Sequence, residues 1–274
     1  MTLTFSGRGI RGSGRETPSG GNVPPERSSS RSSRRPAPRP TRLRRVPARP
    51  VLAAILITVA LRPAAAQGTI SGTVTLEERP GAERGDVRGA VVYLESMDHV
   101  IPASDVASMR VGAIAMRGRE FRPHVRVVMA GGSVAFPNED PFRHNVFSNA
   151  ELGPFDLGLY PRGATRAASF ARPGVYPIYC NIHSRMVSFV VAVPTRWATQ
   201  PTENGSFALR GVPAGSYVLH AWHERGTSEL TREITVPPGG LADLRLTIDA
   251  RAYVPAPHLN KFGRPYSLIR DDRY

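Results

Sequence analysis

The sequence predicts an all-β protein, and three observations carry that prediction. Short apolar runs alternate with polar residues, glycine and proline punctuate them at 26 residues each among 274, and no stretch of helix length is amphipathic. Strands are expected over Thr69–Leu76, Ala90–Leu94, Val125–Met129, Val134–Phe136, Ala168–Phe170, Val175–Tyr179, Val187–Val193, Phe207–Leu209, Tyr217–Trp222, Arg232–Val236 and Leu244–Ile248. Brief strands at this density, with turn residues between them, build sandwiches or barrels.

The segment before the first strand is of a different kind. Residues 1–66 carry thirteen arginines against two glutamates, a charge of +11, while the rest holds 23 basic and 20 acidic residues, +3. The net charge of +14 therefore belongs to the leading segment, and the β-rich part is nearly neutral. That distribution excludes nucleic-acid binding argued from the isoelectric point. Residues 1–50 are rich in Arg, Ser and Pro and hold few side chains that could pack, so disorder is expected there. The apolar run Val51–Leu61 would rise about 16 Å as a helix, too short for a hydrocarbon core of roughly 30 Å. With arginines before it and Pro63-Ala64-Ala65-Ala66-Gln67 after it, residues 51–66 read as the core and cleavage region of a secretory signal peptide, cut after Ala66. An uncleaved membrane anchor is the competing reading. Arg44-Arg45 lacks the rest of a twin-arginine pattern, which leaves the export route open. The expected location is periplasmic or secreted, with no stable membrane span after cleavage.

About 208 residues follow, enough for two small β-domains. Residues 68–95 supply the first strands of a β-sandwich module. Residues 110–194 hold the candidate metal ligands. Residues 199–250 form a β-module in which Asn204-Gly205 signals a hairpin turn and Pro213-Ala214-Gly215 a second tight turn. Residues 252–274 have little periodicity and are expected as an extended C-terminal tail.

The chain has one cysteine, Cys180, at the head of Cys180-Asn181-Ile182-His183-Ser184-Arg185-Met186. A lone cysteine makes no intramolecular disulfide, and an exported free thiol is open to oxidation, so its place beside His and Met needs another explanation. His144 lies upstream in Phe142-Arg143-His144-Asn145-Val146-Phe147. Two imidazoles, one thiolate and one thioether are the ligand set of a mononuclear blue-copper centre. The loop from Cys180 to Met186 is short and clamped between two expected strands, and His144 must come from a neighbouring one. Zinc would more often recruit a further Cys, His or carboxylate, or keep a water. Taken singly, each of the four has an ordinary explanation, a core cysteine or methionine or a surface histidine; their joint placement favours one copper ion cycling Cu(2+)/Cu(+).

The neighbours of these residues carry secondary expectations. Asn145 could tie the histidine strand to the cysteine loop, while Phe142 and Phe147 could exclude water from the site. Arg143 and Arg185, facing outward, would make the ligand-bearing end positive and steer an acidic redox partner. His220 and His223 flank Ala221-Trp222 and make poor joint ligands three apart on a strand, with Trp222 expected on an inner face. His99, His124 and His258 are isolated, His124 carrying at most a weak signal.

The stretch Gly131-Gly132-Ser133-Val134-Ala135-Phe136-Pro137-Asn138-Glu139-Asp140, then His144-Asn145-Val146, Pro173-Gly174-Val175-Tyr176 and Cys180-x-x-His183-x-x-Met186 resembles the plastocyanin/azurin (cupredoxin) family. The resemblance covers about 85 residues and implies a Greek-key β-sandwich with a type 1 copper that passes single electrons. It implies His144, Cys180 and His183 as equatorial ligands, Met186 as the axial one, and His183 as the solvent-edge ligand through which electrons leave. The short ligand loop is similar to that of amicyanin-like members. Phe155-Asp156-Leu157-Gly158-Leu159-Tyr160 and the flanking modules resemble plastocyanin-like proteins associated with methylamine utilisation. Ser184, Arg185 and Arg143 stand where many relatives have proline or apolar residues, so the docking patch is expected to be reduced or charged.

Residues 199–250 resemble the carboxypeptidase regulatory-like (transthyretin-like) module through Asn204-Gly205-x-Phe207, Gly211-Val212-Pro213-Ala214-Gly215-x-Tyr217 and Val236-Pro237-Pro238-Gly239-Gly240. Such modules begin with strands like Thr69–Val74 and Ala90–Leu94. The resemblance thus implies a second sandwich from 68–95 plus about 199–250, with the copper block inserted; the alternative gives Ala90–Leu94 to the copper block. The expected function is electron transfer between exported redox partners, without enzymatic turnover. The alternatives are copper binding or delivery without shuttling, and a structural surface module without metal.

Overall fold

The computed structural model describes residues 67–97 and 112–266. The Arg-rich extension, the expected signal region at 51–66, His99 and residues 267–274 lie outside the described residues. Among the described residues the chain is all-β apart from one 3-10 turn, Val87–Gly89. The strands run β1 Gln67–Glu77, β2 Val91–Ser96, β3 Gly112–Ala113, β4 Ala115–Met116, β5 Phe121–Arg122, β6 Val125–Met129, β7 Gly132–Pro137, β8 His144–Ser148 and β9 Phe155–Tyr160. They continue as β10 Thr165–Phe170, β11 Gly174–Tyr179, β12 Val187–Val193, β13 Ala198–Thr199, β14 Ser206–Pro213, β15 Gly215–Trp222, β16 Leu230–Val236 and β17 Gly240–Asp249.

A five-stranded sheet in the order β6-β12-β11-β8-β9 faces a three-stranded sheet β10-β7-β3, with the hairpin β4-β5 beside them. Period-two alternation fills the space between. Val134 and Phe136 of β7, Tyr176 and Ile178 of β11, and Val190 and Ala192 of β12 point into one core, which also takes Val146, Phe170, Cys180 and Met186. Tyr160 is fully buried there, its hydroxyl satisfied by the Phe136 carbonyl at 2.8 Å.

Two further sheets, β14-β1-β17 and β13-β2-β15-β16, enclose a second core around Ile70, Leu94, Phe207, Tyr217, Leu219 and Leu246. β2 pairs with β15 and β13, and β1 with β14 and β17. Strands from before and after the His144 block therefore share sheets. The outer face of β12, with Phe189, Val191 and Val193, packs with Val91, Tyr93 and Trp222 in a third apolar cluster. Trp222 thus lies in the seam between the two cores rather than on an inner face. Contacts do not separate the cores, which belong to one compact unit.

The anticipated hairpin turn at Asn204-Gly205 takes a different role, and the tight turn at Pro213-Ala214-Gly215 shares it. Thr202 N–H bonds to Ser206 C=O and Gly205 N–H to Thr202 C=O, so Asn204-Gly205 does turn the chain. But β13 and β14 on either side belong to different sheets, as do β14 and β15 around Ala214. Each turn is a corner that switches sheet. Gly205 sits at φ 82°, and a Cβ there would lie 2.3 Å from the Val74 carbonyl oxygen, so only glycine fits this corner.

Candidate metal centre

Alternation on β11 aims the cysteine. Tyr176 and Ile178 face the core, and Cys180 follows in phase just past the strand, fully buried. The loop then closes on itself: the Cys180 amide donates to the Met186 carbonyl at 3.2 Å, and the Met186 amide to the His183 carbonyl at 3.1 Å. β8 lies antiparallel to β11 with Phe147 opposite Tyr179, which brings His144, the first residue of β8, to the same end of the sandwich. His144 Nδ1 stands 3.8 Å from Cys180 Sγ, and His183 Nδ1 stands 3.6 Å from it. The three donor atoms lie within 4.8 Å of one another, and all three residues are buried.

This donor set fits a metal ion. Bonds of about 2.0–2.3 Å at trigonal or tetrahedral angles separate neighbouring donors by about 3.3–3.8 Å. One sulfur and two imidazole nitrogens could therefore hold one ion at their centre without moving far. Met186 is buried in the same core as Cys180 and is tied to it through the backbone. No other group of three or more His, Cys, Asp or Glu side chains converges in this way among the described residues.

Behind His144 stands a carboxylate. His144 Nε2 bonds to Asp140 Oδ2 at 2.8 Å, and both side chains are almost wholly buried. The amides of Gly118 and Arg119 donate to the two Asp140 oxygens at 2.6 and 2.9 Å. These residues form the two-residue turn between β4 and β5, with φ 66° at Gly118 and 61° at Arg119. A left-handed arginine costs about 1 kcal/mol or more, and here that conformation points its amide at the carboxylate. Asn138 braces the same loop: its side chain accepts from the Asp140 amide at 3.0 Å and donates to the Phe142 and Tyr160 carbonyls. Burial raises the Asp140 pKa, but the Arg119 and Gly118 amides and His144 outweigh it and leave the carboxyl below its usual range. Burial also dominates at His144, lowering its pKa against the opposing pull of Asp140. Ionised carboxylate beside neutral imidazole is the state these environments favour.

The neighbours sort themselves by strand face. Phe142 lies 5.2 Å from the His144 ring and 5.9 Å from the His183 ring, where it shields both, and the Arg119 guanidinium sits over it at 5.1 Å. Phe147 is on the opposite face of β8 and packs on Tyr179. The Asn145 amide reaches Asp156 at 2.7 Å rather than the cysteine loop. The link to that loop is indirect, since Lys261 pairs with Asp156 and donates its backbone N–H to Asn181. Arg143 and Arg185 are both exposed. His183 is only 4% exposed, so the anticipated solvent-edge histidine is covered.

Residues 250–266 pass along this end of the sandwich. His258 stacks on Tyr179 at 4.4 Å, and the Tyr266 hydroxyl donates to the Cys180 carbonyl at 2.5 Å. Sequence reasoning missed Asp140, Arg119, His258 and Tyr266. Asp140 had a signal, an acidic residue four positions before a candidate ligand; the others had none that spacing could reveal. His220 stacks on Tyr93, and His223 bonds to the Asp86 carbonyl, both away from the centre.

No family model matches the sequence, and no curated protein matches it. Among solved structures, the copper-containing nitrite reductase of Thermus scotoductus SA-01 is 28% identical over 30% of this chain, with a TM-score of 0.28. The chain spans only 22% of that enzyme's length. A purple cupredoxin from Nitrosopumilus maritimus is 22% identical over 30% of this chain and 98% of its own, TM-score 0.28. Amicyanin from Paracoccus versutus is 19% identical over 36% of this chain and 97% of its own, TM-score 0.29. The transthyretin-like resemblance of residues 199–250 finds no counterpart among these matches. No helix among the described residues is long and apolar enough to cross a membrane.

Proposed function

We propose that this chain is an exported type 1 copper protein that carries single electrons between redox partners, with one copper held by His144, Cys180, His183 and Met186. The observation that carries the reading is the convergence of two imidazole Nδ1 atoms on one buried thiol, at 3.6 and 3.8 Å. Bound copper would supply a Cu(II)/Cu(I) couple able to take up and release one electron. The protein's part is to hold the donors still. Cys180 and His183 come from one hydrogen-bonded loop and His144 from a strand paired with β11, which leads into that loop, so the backbone sets where all three residues stand. Phe142 screens both histidines from water. Met186, buried at the end of the same loop, would add a weak thioether donor to the ion. Exposed Arg143 and Arg185 favour an acidic partner whose on-rate falls with added salt. Export by a cleaved leader ending at Ala66, and an accessory sandwich from 68–95 and 199–250, complete the proposal.

One observation favours the second reading, copper holding or delivery without shuttling: His144 and His183 are both buried, so neither ligand imidazole presents an open edge to solvent. The test is to load the exported protein with Cu(II) and record its visible spectrum and metal content. One copper per chain and an intense sulfur-to-copper band, both lost in Cys180→Ser, support a thiolate-bound centre. A band that survives Cys180→Ser refutes the ligand assignment. Rapid reversible electron exchange with an electrode then selects the carrier over the holding protein.

A further inference from the structure

We propose that Asp140 is the positioning residue of this centre: it holds His144 as the Nε2–H tautomer, leaving Nδ1 free for the metal, and selects Cu(II) over Cu(I). The inference rests on the copper reading above and concerns residues which that reading does not use. Three observations carry it. Each Asp140 oxygen already accepts a backbone amide, which makes the side chain the acceptor of its 2.8 Å bond with His144 Nε2 and places the ring proton on Nε2. The lone pair of Nδ1 then faces Cys180 Sγ. Asp140 is itself fixed from the other side by the Gly118 and Arg119 amides, one to each oxygen, so that it cannot rotate away. Arg119 adopts a left-handed backbone, unusual for a side chain with a Cβ, and that turn aims its amide at the carboxylate. Its guanidinium also covers Phe142, the ring that shields both histidines. The β4–β5 turn, remote in sequence from every ligand, is thereby built into the support of one.

The consequence has a sign. A buried negative charge behind one imidazole stabilises the doubly charged ion more than the singly charged one. Removing the charge while keeping the shape should therefore weaken Cu(II) binding more than Cu(I) binding. Outer-shell partners of this kind are worth about ten- to hundredfold in metal affinity. If Cu(II) affinity falls about tenfold with Cu(I) affinity unchanged, the one-electron potential rises by about 59 mV.

The test uses the full chain in two arms. In the metal-free wild type at pH 8, nitrogen NMR of the His144 ring should show the Nε2–H tautomer; an Nδ1–H or doubly protonated ring overturns the proposal. This arm needs neither a variant nor copper, so it holds even if the substituted protein does not fold. In the second arm, Asp140→Asn is titrated with Cu(II) and with Cu(I) under competing chelators. The expected result is a mixed tautomer and a Cu(II) affinity at least tenfold weaker, with a smaller loss for Cu(I). Affinities within twofold of wild type for both ions, whatever the change in melting temperature, leave Asp140 a merely structural residue and overturn the proposal. Failure of the wild type to bind copper would sink the electron-carrier reading instead, and the tautomer arm would still decide the role of Asp140 at His144.

Discussion

Replacing Tyr266 by phenylalanine removes a single oxygen atom from the C-terminal segment that covers the cysteine loop. That hydroxyl donates to the Cys180 carbonyl at 2.5 Å and lies 3.3 Å from His258 Nδ1, in a part-buried setting. The ring keeps its edge-on contact with His258, so the change is close to pure hydrogen-bond loss. A neutral bond of this kind contributes about 1 kcal/mol net, which corresponds to about fivefold in a local opening equilibrium. The reporter is the Lys261 amide, which donates to Asn181 next to Cys180 at 2.9 Å. Hydrogen exchange at Lys261 should speed up about fivefold in Tyr266→Phe, while Val190, in the middle of the β11–β12 ladder, exchanges as before. Unchanged exchange at Lys261 would refute the idea that Tyr266 fastens the segment. An equal rise at Val190 would show instead that the substitution loosens the whole sandwich.

Two other outcomes follow from the same geometry. Met186→Leu conserves volume in a buried site and should cost less than about 1.5 kcal/mol; copper binding should persist with an altered potential, and complete loss of binding in a metal titration would contradict a weak axial role. His124 bonds Glu224 at 2.8 Å, and that bond raises the His124 pKa above its usual 6.5 despite burial. Burial raises the pKa of Glu224, but the bond to His124 outweighs it and leaves the group below 4.5. The histidine's contribution is whole below pH 6.5 and is lost as pH rises through its folded value; the glutamate's is whole above pH 4.5 and is lost on acidification. The melting difference between wild type and His124→Gln should therefore be largest near pH 5.5 and shrink toward pH 9. A difference that grows with pH would contradict the pairing.

Much of this molecule was legible because period two is a strong signal. The runs at Val134–Phe136, Val175–Tyr179 and Val187–Val193 lie within β7, β11 and β12, and the same alternation carries Cys180 inward. β8 was harder to see, since all five of its residues are buried and no polar face alternates with an apolar one. Its second face is covered partly by Phe147 against Tyr179, and Tyr179 is in turn covered by His258 from the C-terminal segment. A contact between residues so far apart in sequence leaves no local pattern. The two turns at Asn204-Gly205 and Pro213-Ala214-Gly215 show another limit. Their residues specify a reversal of the chain, while hairpin or corner is decided by which sheet completes the core. The four expected ligands could be named because copper demands sulfur and imidazole at short spacing. Their supports could not, because Gly118 and Arg119 act through backbone amides that every residue type but proline supplies.

The most direct measurement is copper K-edge X-ray absorption on the full chain loaded with one equivalent of Cu(II). The account predicts one short sulfur neighbour and two imidazole nitrogens at the metal, with the sulfur signal gone in Cys180→Ser. A first shell of nitrogen and oxygen alone in the unaltered protein would contradict it.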